Sequence, residues 1–278
     1  MLFAMFESLF VVWFVLNDPI TSYGIIGDTQ ANWHIARKAY AEMEKEEVES
    51  LFHLGDVWGC GSLNRWKQLT SYKFFGTHMC FTHFVIGNHE LLRCGTYKYA
   101  PGEYRKKWIK HFIWQDREIP KWWWKAHPYK TYAFKRLKHN TVAILLDSAT
   151  PGVSRHQLKW LREVLKYFGS HSATTFIIFS HRGLPCRSCN GFWYRRLDNM
   201  PYKWRNIQLW KLIQQYKHKI VGAFHGHWHG YRHYNADGIP TWCSGGGGGL
   251  LAPRQKYHWL RLNMWENTLM NVEFKEIK

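Results

Sequence analysis

An α/β fold is predicted for this chain of 278 residues, because strand-like apolar runs alternate with helix-like segments along it. A second observation is that five of those apolar runs end in Asp, Asn or His. Open α/β sheets place their chemistry in the crevice beyond the carboxyl ends of their strands. We therefore expect these polar residues to meet at one edge of the fold. The five runs span residues 25–28, 54–56, 86–89, 179–181 and 224–229.

Short apolar runs predict the strands, and longer amphipathic or charged segments predict the helices. The predicted strands are residues 20–27, 51–55, 81–87, 129–136, 141–147, 174–180 and 219–225, and further short strands follow the glycine run 245–249. The predicted helices are residues 32–50, 62–75, 154–168 and 203–217. No internal repeat or linker interrupts this order, so residues 1–278 are predicted to form a single domain.

Helix 154–168 has the clearest pattern of the four. Ser154 and Gln157 have the spacing of a capping box, in which each side chain caps the backbone N–H of the other residue. The apolar stripe of this helix consists of Leu158, Leu161 and Leu165. The apolar face predicted for helix 203–217 consists of Trp204, Ile207, Trp210 and Ile213.

The N-terminal segment 1–19 is strongly apolar but is interrupted by Glu7 and Ser8. The apolar stretch is too short for a typical membrane span. It also lacks the basic start and the small-residue cleavage site of a signal peptide. An extra strand or a packed segment is therefore favoured, together with a cytoplasmic location. Secretion, or membrane anchoring through residues 1–19, is the alternative.

The six cysteines include a single CxxC pair, Cys186 and Cys189. A structural zinc site usually needs four ligands, commonly as two such pairs. A local disulfide or two free thiols is therefore expected at this pair. Cys60 follows one of the polar strand ends and is expected to be a packed thiol.

Basic charge is concentrated in two segments. Residues 102–139 hold eleven Lys/Arg against three Asp/Glu, and residues 182–217 hold eight against one, in a chain of net charge +18. Aromatic-basic inserts at about 98–128 and 182–202 interleave Trp with Lys and Arg. Such inserts would suit a nucleotide or single-stranded nucleic acid, because bases stack on aromatic rings and cations hold phosphates. A lipid headgroup surface, a solvated basic surface and a small satellite core are the alternatives.

The polar strand ends form five short motifs. They read Gly27-Asp28-Thr29-Gln30, Gly55-Asp56-Val57-Trp58-Gly59, Gly87-Asn88-His89-Glu90, Ser180-His181 and Gly226-His227-Trp228-His229. In this order they resemble the calcineurin-like metallophosphoesterases, whose pattern is GDxH, GDxxxG, GNH(D/E), a strand ending in His, and GHxH. The GNHE form and the segment Leu146-Asp147-Ser148 are similar to the branch that holds purple acid phosphatases and class III cyclic-nucleotide phosphodiesterases. The resemblance implies a two-sheet sandwich flanked by helices (αββα).

The resemblance also implies a set of metal ligands for two divalent ions, which could be Mn, Fe, Zn or Ni. Asp56 would bridge both ions. The first site would be completed by Asp28, Gln30 and His229, and the second by Asn88, His181 and His227. His89 would face the phosphate as the catalytic acid, and Asn88, His89 and Arg182 are candidates for substrate binding.

Three positions depart from the family pattern. Gln30 stands where most members have His, and its carbonyl oxygen is a weaker ligand than imidazole. Gly59 stands where purple acid phosphatases have an iron-binding Tyr, which argues against a purple ferric centre. His233 lies where an Arg often follows Tyr231.

The implied function is that of a dinuclear metal-dependent phosphoesterase, in which metal-activated water hydrolyses a phosphate monoester or diester. A nucleotide-type or other organic phosphate is the first substrate expected, and membrane contact is not expected. One alternative is a nuclease or nucleic-acid end-processing phosphoesterase, motivated by the basic charge. The other is a non-catalytic binding scaffold with the same fold.

Overall fold

The structure, a computed structural model, describes residues 21–30, 32–60, 82–92, 104–106, 131–150, 152–186, 204–265 and 270–278. The predictions made for segment 1–19, for helix 62–75 and for nearly all of the two inserts lie outside these residues. None of the helices in the described part is long and apolar enough to cross a membrane.

The described residues form strands, three α-helices and two short turns of helix. The strands are β1 (Thr21–Ile26), β2 (Ser50–His53), β3 (Thr82–Phe84), β4 (Ala133–Arg136), β5 (Thr141–Leu146), β6 (Thr175–Ser180), β7 (Ile220–His225), β8 (Tyr231–Ala236), β9 (Ile239–Ser244), β10 (His258–Met264) and β11 (Met270–Glu276). The α-helices are α1 (Trp33–Lys45), α2 (Arg155–Gly169) and α3 (Trp204–Gln215). Short 3-10 turns cover His89–Leu91 and Lys217–Lys219.

The strands form two mixed sheets. The first sheet has the order β11-β10-β1-β2-β3, and the second has the order β4-β5-β6-β7-β9-β8. Strands β1, β2 and β3 run parallel, as do β5, β6, β7 and β9. Because parallel strands end at the same edge of a sheet, the residues that follow each of them are brought together there.

Apolar residues fill three layers around these sheets. Between the sheets, the rings of Phe52 and Phe179 stack with their centroids 4.1 Å apart. Helix α1 covers the outer face of the first sheet through residues such as Met43. Helices α2 and α3 cover the outer face of the second sheet through residues such as Leu161 and Leu209. This arrangement of helix, sheet, sheet and helix confirms the predicted αββα class.

Helix α2 begins at the predicted cap, although the reciprocal half of the capping box is wrong. The backbone N–H of Gln157 donates to Ser154 Oγ at 3.1 Å. The Gln157 side chain instead bonds both backbone groups of Asp147, donating to its carbonyl at 2.9 Å and accepting from its N–H at 2.8 Å. The end of β5 therefore offers this amide a better partner than the helix terminus does, and α2 is fixed to the edge where the polar residues lie.

Two other sequence predictions need correction. Helix α1 ends at Lys45 rather than at residue 50, because β2 already begins at Ser50. The buried face of α3 also differs from the predicted one, since Ile207 and Trp210 are only partly buried while Asn206 is fully buried. A hydrogen bond from Val153 N–H to Asn206 Oδ1 explains this, because it draws a polar residue into the helix–helix contact. The other buried residues of that face are Leu209, Leu212 and Ile213.

The hairpin formed by β8 and β9 was not predicted from the sequence. Its turn is Asp237-Gly238, and both residues have positive φ, of 53° and 96°. Two positive φ values in a two-residue turn are typical of type I′ hairpins, for which Asp-Gly is a preferred sequence. The Asp-Gly turn signal was therefore present in the sequence, but the polar residues of β8 hid the strand pattern that precedes it.

Candidate metal centre

The loops that follow β1, β2, β3, β6 and β7 meet at one edge of the sandwich. Backbone hydrogen bonds join the first two loops, from Asp28 N–H to the Gly55 carbonyl (3.0 Å) and from Gln30 N–H to the Asp56 carbonyl (2.9 Å). A third loop joins them through His89, whose backbone N–H donates to Asp56 Oδ1 at 2.8 Å. Residues far apart in sequence are thereby held in one rigid group.

Three side-chain atoms converge on Nε2 of His181. Its Nδ1 lies 2.8 Å from the Leu54 carbonyl oxygen and must carry a hydrogen to bond it, which leaves Nε2 free to present a lone pair. That Nε2 lies 2.8 Å from Asn88 Oδ1, 3.1 Å from His227 Nδ1 and 3.3 Å from Asp56 Oδ2. Ligand atoms of Asp56, His181 and His227 all lie within 4.8 Å of one another. Acceptors this close need a positive charge between them, so the residues present fit a divalent cation.

The pKa values of His181 and Asp56 also indicate that positive charge is favoured at this position. Burial alone would lower the pKa of His181, but the Asp56 carboxylate and its hydrogen bond outweigh burial and raise that pKa to about 9. Burial likewise opposes ionisation of Asp56, yet nearby His181 holds the pKa of Asp56 well below its usual range. A proton on His181 thus supplies the charge in the metal-free protein, and a divalent ion would compete with it.

A second group lies around Asp28. Its Oδ2 accepts from His227 N–H at 2.8 Å, whereas its buried Oδ1 accepts no hydrogen bond. His229 Nε2 lies 3.5 Å from Oδ1, and that nitrogen also lies 3.0 Å from Gln30 Nε2. His229 Nδ1 lies 2.7 Å from the Leu250 carbonyl, which leaves Nε2 facing the group. An unsatisfied buried carboxylate oxygen beside an imidazole nitrogen fits a second cation.

His89 occupies the solvent side of the centre. Its Nδ1 lies 2.7 Å from the Gly59 carbonyl oxygen and donates to it. The other ring nitrogen, Nε2, lies 3.8 Å from Asp56 Oδ2, and the side chain is 27% exposed. One nitrogen is therefore fixed as a donor to the backbone, while the other can exchange a proton with a bound molecule.

Left-handed backbone conformations mark this centre. Positive φ values occur at Asp28 (57°), Gln30 (45°), Asp56 (53°) and His227 (66°). Such a conformation costs a residue other than Gly about 1–3 kcal/mol, and it clusters at functional sites. Glycine is required beside these residues, because a Cβ on Gly87 would lie 2.2 Å from Asp56 Oδ1.

Glu90 supports the centre from behind, a role that the sequence interpretation missed. Its fully buried carboxylate accepts three backbone N–H groups, from Gly87 at 2.7 Å, Asp56 at 2.9 Å and Trp58 at 3.3 Å. In the metal-free protein, burial and then the charge of Asp56 raise the pKa of Glu90 to about 8. The sequence does contain a signal for this role. Glu90 stands between His89 and two leucines, and an acidic residue in such an apolar context is expected to be buried with hydrogen-bond partners.

His53 makes a second buried link that was missed. Burial lowers the pKa of His53 to about 3, so the ring is neutral at ordinary pH. Its Nδ1 accepts from Gly55 N–H at 3.2 Å, which leaves Nε2–H to donate to Thr29 Oγ1 at 3.3 Å. Thr29 in turn donates to the Val57 carbonyl at 3.2 Å. This chain ties together the loops that carry Asp28 and Asp56, but nothing in the sequence distinguishes it from an ordinary strand histidine.

The described parts of the two inserts lie beside the centre. Arg105 donates to both carboxylate oxygens of Asp147, at 2.8 and 3.2 Å, so the first insert is fixed to the end of β5. In the second insert, Arg182 follows His181 directly and is buried, and its backbone N–H donates to Ser148 Oγ at 2.8 Å. The positions of the tryptophans of these inserts lie outside the described residues.

One prediction about cysteine is wrong, because Cys60 is disulfide-bonded rather than a packed thiol. Cys186 is also disulfide-bonded, which excludes the alternative of two free thiols at the CxxC pair. Among the cysteines that the structure describes, only Cys243 is a free thiol, and it is buried. Cys189, the other residue of the CxxC pair, lies outside the described ranges.

The sequence match to known families decides the identity of the fold. A profile of the calcineurin-like phosphoesterases matches residues 21–231, which include every motif at the centre. The chain belongs to the calcineurin-like phosphoesterase family. This confirms the resemblance seen in the motifs, and membership supports a metal-dependent phosphoesterase activity. No curated protein matches this calcineurin-like chain in sequence.

Several solved structures share the fold. A dimetal phosphatase from Danio rerio aligns with a TM-score of 0.65 at 16% identity, over 94% of this chain and 98% of that one. A purple acid phosphatase from yellow lupin aligns with a TM-score of 0.68 at 17% identity, over 94% of this chain and 52% of the other. A putative 5'-nucleotidase from Staphylococcus aureus has a TM-score of 0.52 at 12% identity, over 93% and 54%. At these identities the likeness shows the fold alone.

Proposed function

We propose that this calcineurin-like protein is a dinuclear metal-dependent phosphoesterase that hydrolyses phosphate monoesters or diesters by attack of water. The observation that carries this proposal is the convergence of three side-chain atoms on His181 Nε2, together with the unsatisfied Asp28 Oδ1. Family membership supports the same activity.

Two ligand groups would hold the ions, with Asp56 shared between them. Asn88, His181 and His227 form one group, and Asp28, Gln30 and His229 form the other. When bound, two divalent cations would polarise the phosphoryl oxygens and lower the pKa of the attacking water. Imidazole nitrogens suit Zn, Fe, Ni or Mn, and the amide and carboxylate oxygens suit the harder of these ions.

Gln30 determines how well the Asp28 group binds. As oriented, its amide nitrogen faces His229 Nε2 at 3.0 Å. Exchanging the amide oxygen and nitrogen by a rotation of 180° would present the oxygen there instead, and such orientations are assigned from the hydrogen-bond network. In that orientation Gln30 would be an oxygen ligand beside Asp28 and His229, in place of the imidazole that most family members have.

His89 is proposed as the group that gives a proton to the leaving oxygen. Its Nδ1–H is held by the Gly59 carbonyl, so the transferable proton resides on Nε2, on the side of Asp56. Its backbone N–H bond to Asp56 Oδ1 fixes the ring relative to the ligands. The side chain is open to solvent, so a substrate oxygen can reach it.

The His89→Ala variant tests this role through the choice of substrate. A phosphate ester with a good leaving group needs little proton donation, and one with an alkoxide leaving group needs much. General acid catalysis typically contributes about 10²–10⁴-fold, so we expect a loss in that range for alkyl phosphates and a much smaller one for nitrophenyl phosphates. The measurement is kcat/KM for both ester types, with Mn²⁺ present and metal content checked.

A uniform loss across leaving groups would show that His89 does not act as the acid. The same panel, run on wild-type protein with monoesters and diesters and with several metals, tests the proposed function itself. A protein that binds metal but hydrolyses none of these esters would instead favour the scaffold alternative.

The first substrate class proposed is a nucleotide-type or other organic phosphate. The strongly basic sequence supports an anionic substrate, and one structural neighbour is described as a putative 5'-nucleotidase. A nuclease or end-processing enzyme is the second candidate. It would show itself by turnover of oligonucleotides in preference to mononucleotides.

We also propose that the chain matures in an oxidising compartment, in place of the cytoplasmic location predicted from the sequence. The disulfide-bonded Cys60 and Cys186 support this, because disulfides persist in such compartments. Thiol counting in denatured, unreduced protein is expected to find no more than four of the six cysteines free. Six reactive thiols in fully active protein would contradict the proposal.

A further inference from the structure

Helix α2 carries a continuous stripe of cations on its solvent face. The stripe consists of Arg155, Lys159, Arg162 and Lys166, all of them exposed. Their spacing of four, three and four residues places them on one face of the helix, one turn after another. From the first to the last the stripe is about 16 Å long, at ~1.5 Å per residue.

Helix α3 extends this surface. Arg205, Lys211 and Lys217 are exposed on α3 and on the turn that follows it. The segment just before α2 is joined to α3 by the hydrogen bond from Val153 N–H to Asn206 Oδ1 at 3.3 Å. Residues 155–169 and 204–219 together hold eight Lys/Arg against one Glu, a net charge of +7, whereas residues 33–49, on and just after α1, have a net charge of −2.

The cations of this surface lack carboxylate partners, unlike several cations elsewhere in the described residues. Within the described ranges, Arg155, Lys159, Arg162 and Lys166 form no ion pair, and neither do the three cations on and after α3. By contrast, Lys138, Lys256, Arg261 and Lys275 each pair with a glutamate. Positive charge on the α2–α3 face therefore exceeds negative charge, since Glu163 is its one acidic residue and no stripe cation forms an ion pair in the described part of the chain.

Such a stripe works against the helix that carries it. Like charges three or four residues apart repel each other and destabilise an α-helix. Neighbours in the stripe are related in this way along its whole length. An excess of like charge on a helix capped by Ser154 favours a ligand that supplies more negative charge than Glu163 alone.

The stripe begins at the edge of the fold that holds the metal centre. The Gln157 side chain bonds the backbone of Asp147, which directly follows β5 at that edge. Arg155 is therefore at the end of the stripe nearer the centre, and Lys166 lies at the far end of α2. An elongated anion lying along α2 would have one end directed towards the metal centre.

We propose that the α2–α3 face binds a nucleic-acid strand through its phosphates. A linear series of cations matches the regular spacing of phosphates along a strand. An anionic membrane is the poorer match, because surface-bound helices also insert apolar residues. On α2 and α3 the one large hydrophobic side chain described as exposed is Tyr167, at 60%. Its ring is at the far end of the stripe, where a base can stack on it.

The test is binding of a fluorescent single-stranded 20-mer, followed by anisotropy at several salt concentrations. The stripe variant combines Arg155→Gln, Lys159→Gln, Arg162→Gln and Lys166→Gln. Removing four phosphate contacts is expected to weaken binding at least about tenfold at moderate salt and to reduce the log–log salt slope by about 3. The melting temperature of the variant should not fall, because repulsion within α2 is relieved, and this excludes unfolding as the cause.

A matched control removes four charges elsewhere, through Lys38→Gln, Lys45→Gln, Lys256→Gln and Lys278→Gln. It has the same net charge as the stripe variant, and it should keep the wild-type affinity and salt slope within about threefold. Equal losses in the two variants would show that only overall charge matters and would overturn the proposal. So would wild-type binding to vesicles rich in phosphatidylserine with none to the oligonucleotide. Because binding is measured without turnover, failure here is separate from failure of the proposed hydrolysis.

Discussion

Replacing Asp56 with Asn is expected to leave the protein folded but unable to hold its metal ions. The amide keeps the shape of the side chain, and its oxygen can still accept the His89 N–H that Asp56 Oδ1 accepts at 2.8 Å. Its NH₂ group would take the place of Oδ2, 3.3 Å from His181 Nε2. A donor would then stand where the proposed cation is coordinated, and it would satisfy His181 without one.

The expected size of this effect follows from the proposal that the two ligand groups share Asp56. Residues behind a ligand typically contribute about 10–100-fold to metal affinity, so loss of a shared ligand should exceed ~100-fold. The measurements are metal ions per chain after dialysis, and turnover of the best ester with Mn²⁺ added back. Both should fall together if the ions perform the chemistry.

Asp237→Asn provides the control for Asp56→Asn. Asp237 also has a left-handed conformation, with φ of 53°, but it lies in the β8–β9 turn and bonds Trp210. The same chemical change there should leave metal content and turnover as in the wild type. Wild-type metal content in Asp56→Asn would contradict the assignment of Asp56 as the shared ligand.

The sequence predicts the position of the centre well because two independent patterns coincide in it. Apolar runs identify the strands, and the parallel order of those strands brings their polar ends to one edge. Asp28 and His181 follow their strands within two residues, so the position of each strand end fixes where these side chains lie. Each motif is local, and the strand order of the two sheets brings the motifs together.

What the sequence does not predict depends on long-range partners. Gln157 has the spacing of a helix cap, but the end of β5 draws its side chain away. The charge on α2 likewise looks like any solvated basic face, until the structure shows that its cations are unpaired while those near Glu46 are paired. Neither fact follows from spacing, because each depends on which element packs beside the residue.

Glu90 is expected to control metal affinity without touching metal or substrate. Its carboxylate accepts N–H groups from Gly87 and Asp56 on one oxygen and from Trp58 on the other. It thereby sets the distance between the loop of Asp56 and the loop of Asn88. Each buried N–H left without a partner costs about 1–3 kcal/mol, so Glu90→Ala should lower the free energy of unfolding by at least ~3 kcal/mol.

Glu90→Gln separates positioning from stability. The amide oxygen can still accept from Gly87 and Asp56, while its NH₂ group faces the N–H of Trp58. One bond of three is lost, so we expect a loss of about 1–3 kcal/mol and a folded protein. Metal affinity should weaken by about 10–100-fold, as for other residues behind a ligand, with kcat close to wild type at saturating metal. Calorimetric metal titration and kcat against metal concentration measure the two effects.

The matched control is Glu276→Gln, which removes a surface carboxylate that pairs with Lys256. An exposed ion pair contributes about 0–1 kcal/mol, so both stability and metal affinity should stay near wild type. If Glu90→Gln and Glu276→Gln bind metal equally well, Glu90 only fills space behind the loops. If Glu90→Gln instead lowers kcat at saturating metal, Glu90 also positions the groups that act on the substrate. If Glu90 only sets the distance between the loops of Asp56 and Asn88, metal affinity should fall while kcat at saturating metal stays unchanged.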